Sequence, residues 1–378
     1  MSESSPAQPT VAVIGGGYAG VYLAKALDEV AHVVLIEPKD AFVHNVAALR
    51  ALADPSWLPR IFLPYGGLLA RGEVVRDRAA KVEPGRVTLA SGDQIDAEYI
   101  VLATGSQYPF PANSDVDVTA DAHDKFRAAH AALDAAGRVL LVGAGAVGIE
   151  LAGEIKAVWP GKEVTLLDAA AELLGARYRD DLKAELRRQL TGIGVRVLLS
   201  SPLQSLPPTE PGVPGEFTVQ TEAGASLTAD VWFRCFGVSP VSDYLAGELA
   251  GARQPDGFVT VTPYLQVQGQ DRVFALGDVA AADVKKAGAA GGQAAIVAAN
   301  IQAMIAGDAP AEEYQPGPAA ILVPVRALGG SGQAAGTDDL VAPEAVASIK
   351  GEGMLADRYA ELLGVAAPAG GDAATARR

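Results

Sequence analysis

The chain has 378 residues, 49% hydrophobic and 20% charged, with 45 acidic against 30 basic side chains and a net charge of −15. That length carries two or three domains, each able to bury a core, and that composition is globular. The acidic balance argues against nucleic acid as a partner, which needs a basic footprint, and against a polybasic membrane anchor.

The opening residues, Met1-Ser-Glu-Ser-Ser-Pro6, lack the basic and apolar regions of a signal peptide and carry no glycine at position 2 for myristoylation. A cytoplasmic protein is expected. Residues 11–14 read as an apolar strand, Gly15-Gly-Gly-Tyr-Ala-Gly20 as a turn, 21–27 as a helix, and 33–36 as a strand ending at Glu37. That is a βαβ unit. Residues 86–89 and 94–97 flank Ser91-Gly92 as a hairpin, and a strand over 99–102 closes at Ala103-Thr104-Gly105. The proline-bearing stretch 108–111 reads as a linker.

The pattern then repeats, as an internal duplication at domain scale. A helix over 121–136 leads to a strand over 138–142, the turn Gly143-Ala-Gly-Ala-Val147-Gly148, a helix over 149–158 and a strand over 163–167 ending at Asp168. A helix over 180–193, a strand over 195–199, a surface turn at 207–215, a hairpin of 217–220 with 226–230, and a strand over 231–236 ending at Gly237 complete the second unit. From about residue 252 the chain returns to the first unit, with a strand over 273–276 that ends at Gly277-Asp278 and a helix over 287–305. Gln293, Asn300 and Gln302 make that helix a buried element and not a membrane span. Beyond 310, a strand over 320–323, a loop over 329–333 and a short helix over 358–363 indicate a smaller third domain, with a frayed Ala/Gly/Pro-rich end from 365.

In each turn the three glycines have separate tasks. Gly15 and Gly143 allow the tight strand-to-helix bend, Gly17 and Gly145 let a pyrophosphate approach the backbone, and Gly20 and Gly148 let the helix close on the strand. The helix N-terminus then offers free N–H groups and the positive end of its dipole to the phosphates. Glu37 and Asp168 stand where a carboxylate accepts ribose hydroxyls. Asp168 favours NADH, because a 2′-phosphate about 5 Å away would be repelled by roughly 3 kcal/mol at intermediate dielectric before screening. The alternative is that Asp168 merely caps the segment that follows it. Asp278, before a helix, can accept a ribitol hydroxyl or act as an N-cap.

Cys235 is the sole cysteine, so no intrachain disulfide and no redox-active cysteine pair can form. The thiol reads as a small core residue. The four histidines are scattered, and no metal site is expected.

Gly15–Gly20 with Glu37, Ala103-Thr-Gly105, Gly143–Glu150 and Val273-Phe-Ala-Leu-Gly-Asp278 together resemble the pyridine-nucleotide disulfide oxidoreductase superfamily over nearly the whole chain. Residues 42–50, 148–155, 286–293 and 329–333 are similar to the apoptosis-inducing-factor-homologue branch, to which type II NADH:quinone dehydrogenases are near. The resemblance implies an α/β fold of two Rossmann-like, three-layer ββα nucleotide-binding domains plus a small α+β C-terminal domain. The FAD domain would be discontinuous (1–112 and 252–309), the NAD(P)H domain would span 113–251, and residues 310–378 would close the flavin site.

It also implies site roles. Gly15, Gly17, Gly20 and Glu37 would hold the ADP half of FAD, with Tyr18, Ala19, Pro38, Lys39 and Val82 also binding FAD and Arg50 at the pyrophosphate. Ala103, Thr104, Gly105, Gly277, Asp278, Lys286 and Ala287 would surround the rest. NADH, with NADPH as the alternative, would be held by Gly143, Gly145, Val147, Gly148, Asp168 and Gly237. Glu150 would lie near the nicotinamide, and His44 and Asn45 near the isoalloxazine. Glu150 would also suit the helix dipole, His44 could be a satisfied loop histidine, and Arg50 could sit in an ion pair.

Together these imply an NAD(P)H oxidoreductase. Hydride would pass from nicotinamide C4 to flavin N5, and electrons would leave for a diffusible, quinone-like acceptor. The alternatives are a slow NADH-responsive redox switch with a charge-transfer flavin, and reduction of a small electron-transfer protein. The latter is disfavoured by the acidic charge, since such carriers are commonly acidic. Monomer and homodimer are both open.

Overall fold

Strand Thr10–Ile14 lies at the centre of a five-stranded parallel sheet in a computed structural model that describes residues 8–283 and 287–366. The strand order is Val273–Ala275, Tyr99–Leu102, Thr10–Ile14, His32–Ile36 and Glu73–Val75. The chain therefore comes back from residue 273 to extend the sheet begun at residue 10. Both faces are covered, which is why these strands are almost wholly apolar. Alternation divides them cleanly: Val11 and Val13 meet helices Tyr18–Leu27 and Ala287–Ala306, while Ala12 and Ile14 meet a three-stranded antiparallel layer. That layer is Ala79–Glu83, Arg86–Leu89 and Gln94–Asp96, the expected hairpin plus one strand.

Residues 288–306 are long and apolar enough to cross a membrane. In the fold Ala290, Ala294, Val297, Ala298 and Ile301 instead pack into the core beside Leu23 and Leu27. Asn300 accepts N–H bonds from Ala311 and Glu312 and donates to the Glu312 carbonyl, tying the helix to the chain beyond it.

The second unit repeats the plan with a four-stranded parallel sheet: Val195–Leu198, Glu163–Leu167, Arg138–Val142 and Val231–Arg234. Val139 and Leu141 face helices Thr119–Ala135, Ala146–Val158 and Asp180–Gly192. Leu140 and Val142 face the hairpin Phe217–Gln220 with Ser226–Ala229. Two crossings join the units, and they pair as a short antiparallel ladder, Ser106–Gln107 with Ser239–Pro240.

The C-terminal part is a three-stranded antiparallel sheet with helices Pro343–Val346 and Ala356–Leu362. Residues 329–333, expected as a loop, include its central strand Gly330–Gln333. Glycine permits that strand: a Cβ at Gly330 would stand 2.3 Å from the Val323 carbonyl oxygen, and one at Gly332 2.6 Å from that of Ile321. A π-helical turn, Ala347–Gly351, joins this sheet to the last helix. The expectations for Met1–Pro6, for Lys286 and for the end of the chain beyond 366 fall outside the described residues.

Candidate functional site

The first glycine turn is built as its spacing requires. Gly15 has φ +103°, and a Cβ there would be 2.6 Å from the Ala103 carbonyl oxygen. A Cβ at Gly20 would strike the Gly15 carbonyl, so the helix rests directly on the strand end. Gly17 meets nothing within 4 Å and borders a cleft of about 310 Å³. A ligand can thus reach its backbone. Glu37 receives the Gly16 and Lys39 N–H groups at 2.7 and 2.9 Å. Its carboxylate is held beside the turn with lone pairs to spare. Tyr65 also frames the turn, donating its hydroxyl to the Gly16 carbonyl at 2.8 Å.

Across the cleft, Gly277 donates its N–H to Gln293 at 2.6 Å, which fixes the strand end to the long helix. Ser106 donates to Asp278 Oδ2 at 2.6 Å, and Tyr108 approaches the same oxygen. Ala103, Thr104 and Gly105 line the floor. Asn45 lines the wall, and its buried Oδ1 has no partner among the described residues. An open glycine backbone, an anchored carboxylate at each end and an orphaned amide oxygen suit an elongated polar ligand. They fit FAD.

The second turn has the same construction. Gly143 has φ +111°, with the Cys235 carbonyl 2.8 Å from where its Cβ would be. Asp168 accepts from Ala144 N at 2.6 Å and Ala170 N at 2.8 Å. The helix that leaves this turn carries Ala146, Val147 and Glu150 into the cleft of the first turn.

Glu150 is buried and paired with Lys350, 2.7 Å away. Burial pushes the Glu150 carboxyl above the ordinary carboxylate range, and the nearby ammonium opposes the shift. Lys350 is supplied by the π-helical turn, and it too borders the cleft. Such turns often mark functional positions. Sequence reasoning missed this lysine, because it lies 200 residues from its partner.

Four expected site residues lie elsewhere. Arg50 does not reach the cleft: its guanidinium grips Glu154 at 2.7 and 3.1 Å, donates to the Glu352 carbonyl and lies over Trp57. Val82 is a core residue of the antiparallel layer, its N–H bonded to the Tyr244 carbonyl. Pro38 is outside the lining, although its neighbours Glu37 and Lys39 are in it.

His44 is buried behind Tyr18. Its Nε2 lies 2.6 Å from the Met354 carbonyl, which can only accept, so Nε2 carries the proton. Nδ1 then accepts from the Tyr18 hydroxyl at 3.1 Å, and Tyr18 in turn accepts the Val46 N–H at 3.0 Å. Burial holds the His44 imidazole down to about 4. Neither ring nitrogen is available to a ligand, and His44 instead fixes Tyr18, which does line the cleft. Burial likewise pushes the Cys235 thiol up to about 12, which removes it as a thiolate.

Against known proteins, a family model described as pyridine nucleotide-disulphide oxidoreductase matches residues 9–299. Ferroptosis suppressor protein 1 of Taeniopygia guttata is 32% identical, covering 86% of this chain and 88% of that protein. Apoptosis-inducing factor homolog B of Dictyostelium discoideum is 29% identical, covering 79% and 81%. Among solved structures, a water-forming NADH oxidase from Lactobacillus brevis bound to NADH superposes with TM-score 0.66 at 20% identity, over 86% of this chain and 74% of that one. A NAD-dependent persulfide reductase from A. fulgidus does so with TM-score 0.68 at 18% identity, over 86% and 64%.

Proposed function

The chain belongs to the pyridine nucleotide-disulphide oxidoreductase family, an FAD- and NAD(P)H-dependent family, and on that premise we propose that it oxidises NADH and reduces a quinone-like acceptor. One observation carries the reading: Gly15–Gly17 and Asp278 from the first unit share a single cleft with Val147 and Glu150 from the helix of the second turn. Two dinucleotides, each seated on its own turn, would bring their reactive ends together there. When bound, FAD supplies the electron exchange between nicotinamide and acceptor, which no side chain could perform.

The protein supplies placement and charge. Glu37 and Asp278 would hold one dinucleotide, and Asp168 would hold the ribose of the other. Asp168 is immobilised by two backbone N–H groups, so it cannot swing away from a 2′-phosphate. This supports NADH over NADPH. Tyr18, locked by His44, forms a rigid wall. A quinone takes up protons along with electrons, and on the cleft wall Lys350 Nζ donates to Glu150 Oε1 and so holds a proton within reach of the cleft. With Cys235 as the sole cysteine, electrons leave for a diffusible acceptor without a protein dithiol. The test is steady-state NADH oxidation with a panel of quinones set against an iron–sulfur protein. Turnover with the iron–sulfur protein alone would sink the quinone assignment.

A further inference from the structure

Arg234 ends strand Val231–Arg234, directly opposite Val142, the last residue before the second glycine turn. The chain has 15 more acidic than basic side chains. Yet among the described residues no carboxylate pairs with Arg234, and its buried Nε has no hydrogen-bond partner. A buried Nε without an acceptor costs stability, and the terminal nitrogens, which bond no acceptor among the described residues, are left for a ligand to complete.

The surroundings agree. The guanidinium lies over the Phe236 ring, 4.7 Å from its centroid. Packing against an aromatic face keeps the in-plane N–H donors free for an oxyanion. Phe236 is 38% exposed, and its Cβ would be 3.2 Å from a Cβ placed at Gly143. Phe236 therefore abuts the turn itself at its Cβ. Gly237 has φ +88°, and a Cβ there would be 2.7 Å from an Arg234 terminal nitrogen. Glycine at 237 thus makes room for the arginine.

We propose that Arg234, seated on Phe236, binds a phosphate oxyanion of the nicotinamide dinucleotide and completes the anion site begun by the N-terminus of helix Ala146–Val158. This rests on the NADH reading of the second turn. An arginine donates in a fixed planar fork and a lysine does not. The identity of the cation should therefore count as well as its charge.

The test is calorimetric binding of ADP-ribose and NAD⁺ to the FAD-loaded protein, comparing wild type with Arg234→Gln, Arg234→Lys and Phe236→Ala. Arg234→Gln should weaken both ligands about tenfold or more, as loss of a charge-assisted contact implies. Arg234→Lys should fall between it and wild type. Phe236→Ala should weaken binding less than Arg234→Gln, because the guanidinium keeps its charge but loses its seat. The salt dependence of binding should become shallower in Arg234→Gln. Unchanged affinities in Arg234→Lys and Phe236→Ala, or in a folded Arg234→Gln, would overturn the assignment while leaving the NADH reading intact. A wild-type protein that binds neither ligand would overturn both.

Discussion

Acidification should destabilise this protein through His44, and the size of the effect follows from its burial. The ring is fully buried and neutral, with Nε2 donating to Met354 and Nδ1 accepting from Tyr18. Its folded value lies at about 4, against 6.5 for the free side chain. Above pH 6.5 both folded and unfolded chains hold it neutral, and the full stability is present. Between 6.5 and 4 the unfolded chain gains a proton that the native state refuses, so stability falls by about 1.4 kcal/mol per pH unit, or roughly 3 kcal/mol in all. Below pH 4 this contribution is exhausted. Urea unfolding of wild type and His44→Phe, at pH steps from neutral to acid, isolates the term from the other titrating groups. The phenylalanine variant is less stable at neutral pH, having lost two buried hydrogen bonds. Its curve should nevertheless converge on that of the wild type as pH falls. Parallel curves across the whole range would refute the reasoning.

Other consequences follow from the same contacts. Arg50→Met strands the Glu154 carboxylate in a buried site and should cost about 3–5 kcal/mol in urea unfolding, with part recovered by adding Glu154→Gln. Gly17→Ala should leave the melting of the flavin-free protein unchanged, since a Cβ there meets nothing, yet lower FAD occupancy on reconstitution. Lys350→Met removes the ammonium that holds Glu150 down, so the acidic limb of the pH–rate profile for NADH oxidation should move to higher pH. Asp168→Asn should shift the kcat/KM ratio toward NADPH by roughly tenfold or more, the repulsion at intermediate dielectric being about 3 kcal/mol before screening.

Local rules made the nucleotide turns legible. Apolar strand, glycine spacing and terminal carboxylate all occur within about thirty residues, and the structure places Glu37 and Asp168 on their respective turns through the N–H groups of Gly16 and Ala144. The return of the chain to the first sheet was readable from Val273–Asp278, because the strand and its acid repeat the pattern of the opening unit. Lys350 was not readable. Its segment has no apolar period of its own, and its meaning comes from an acid 200 residues away. Arg50 was open between a pyrophosphate and an ion pair for the same reason: its partner Glu154 is 104 residues distant and lies one helical turn beyond Glu150. His44 could be read from sequence as a ligand of the isoalloxazine or as a satisfied loop histidine, and only its burial behind Tyr18, a tertiary fact, decides for the second. Arg234 drew no notice, because an arginine ending a strand looks like a solvated charge until its lack of a partner is seen.

The most direct test of two dinucleotides meeting in one cleft is anaerobic mixing of the FAD-loaded protein with NADH, followed by the visible flavin absorbance. The absorbance should bleach rapidly and return when a quinone is added. A flavin spectrum unaltered by excess NADH would contradict the proposed function.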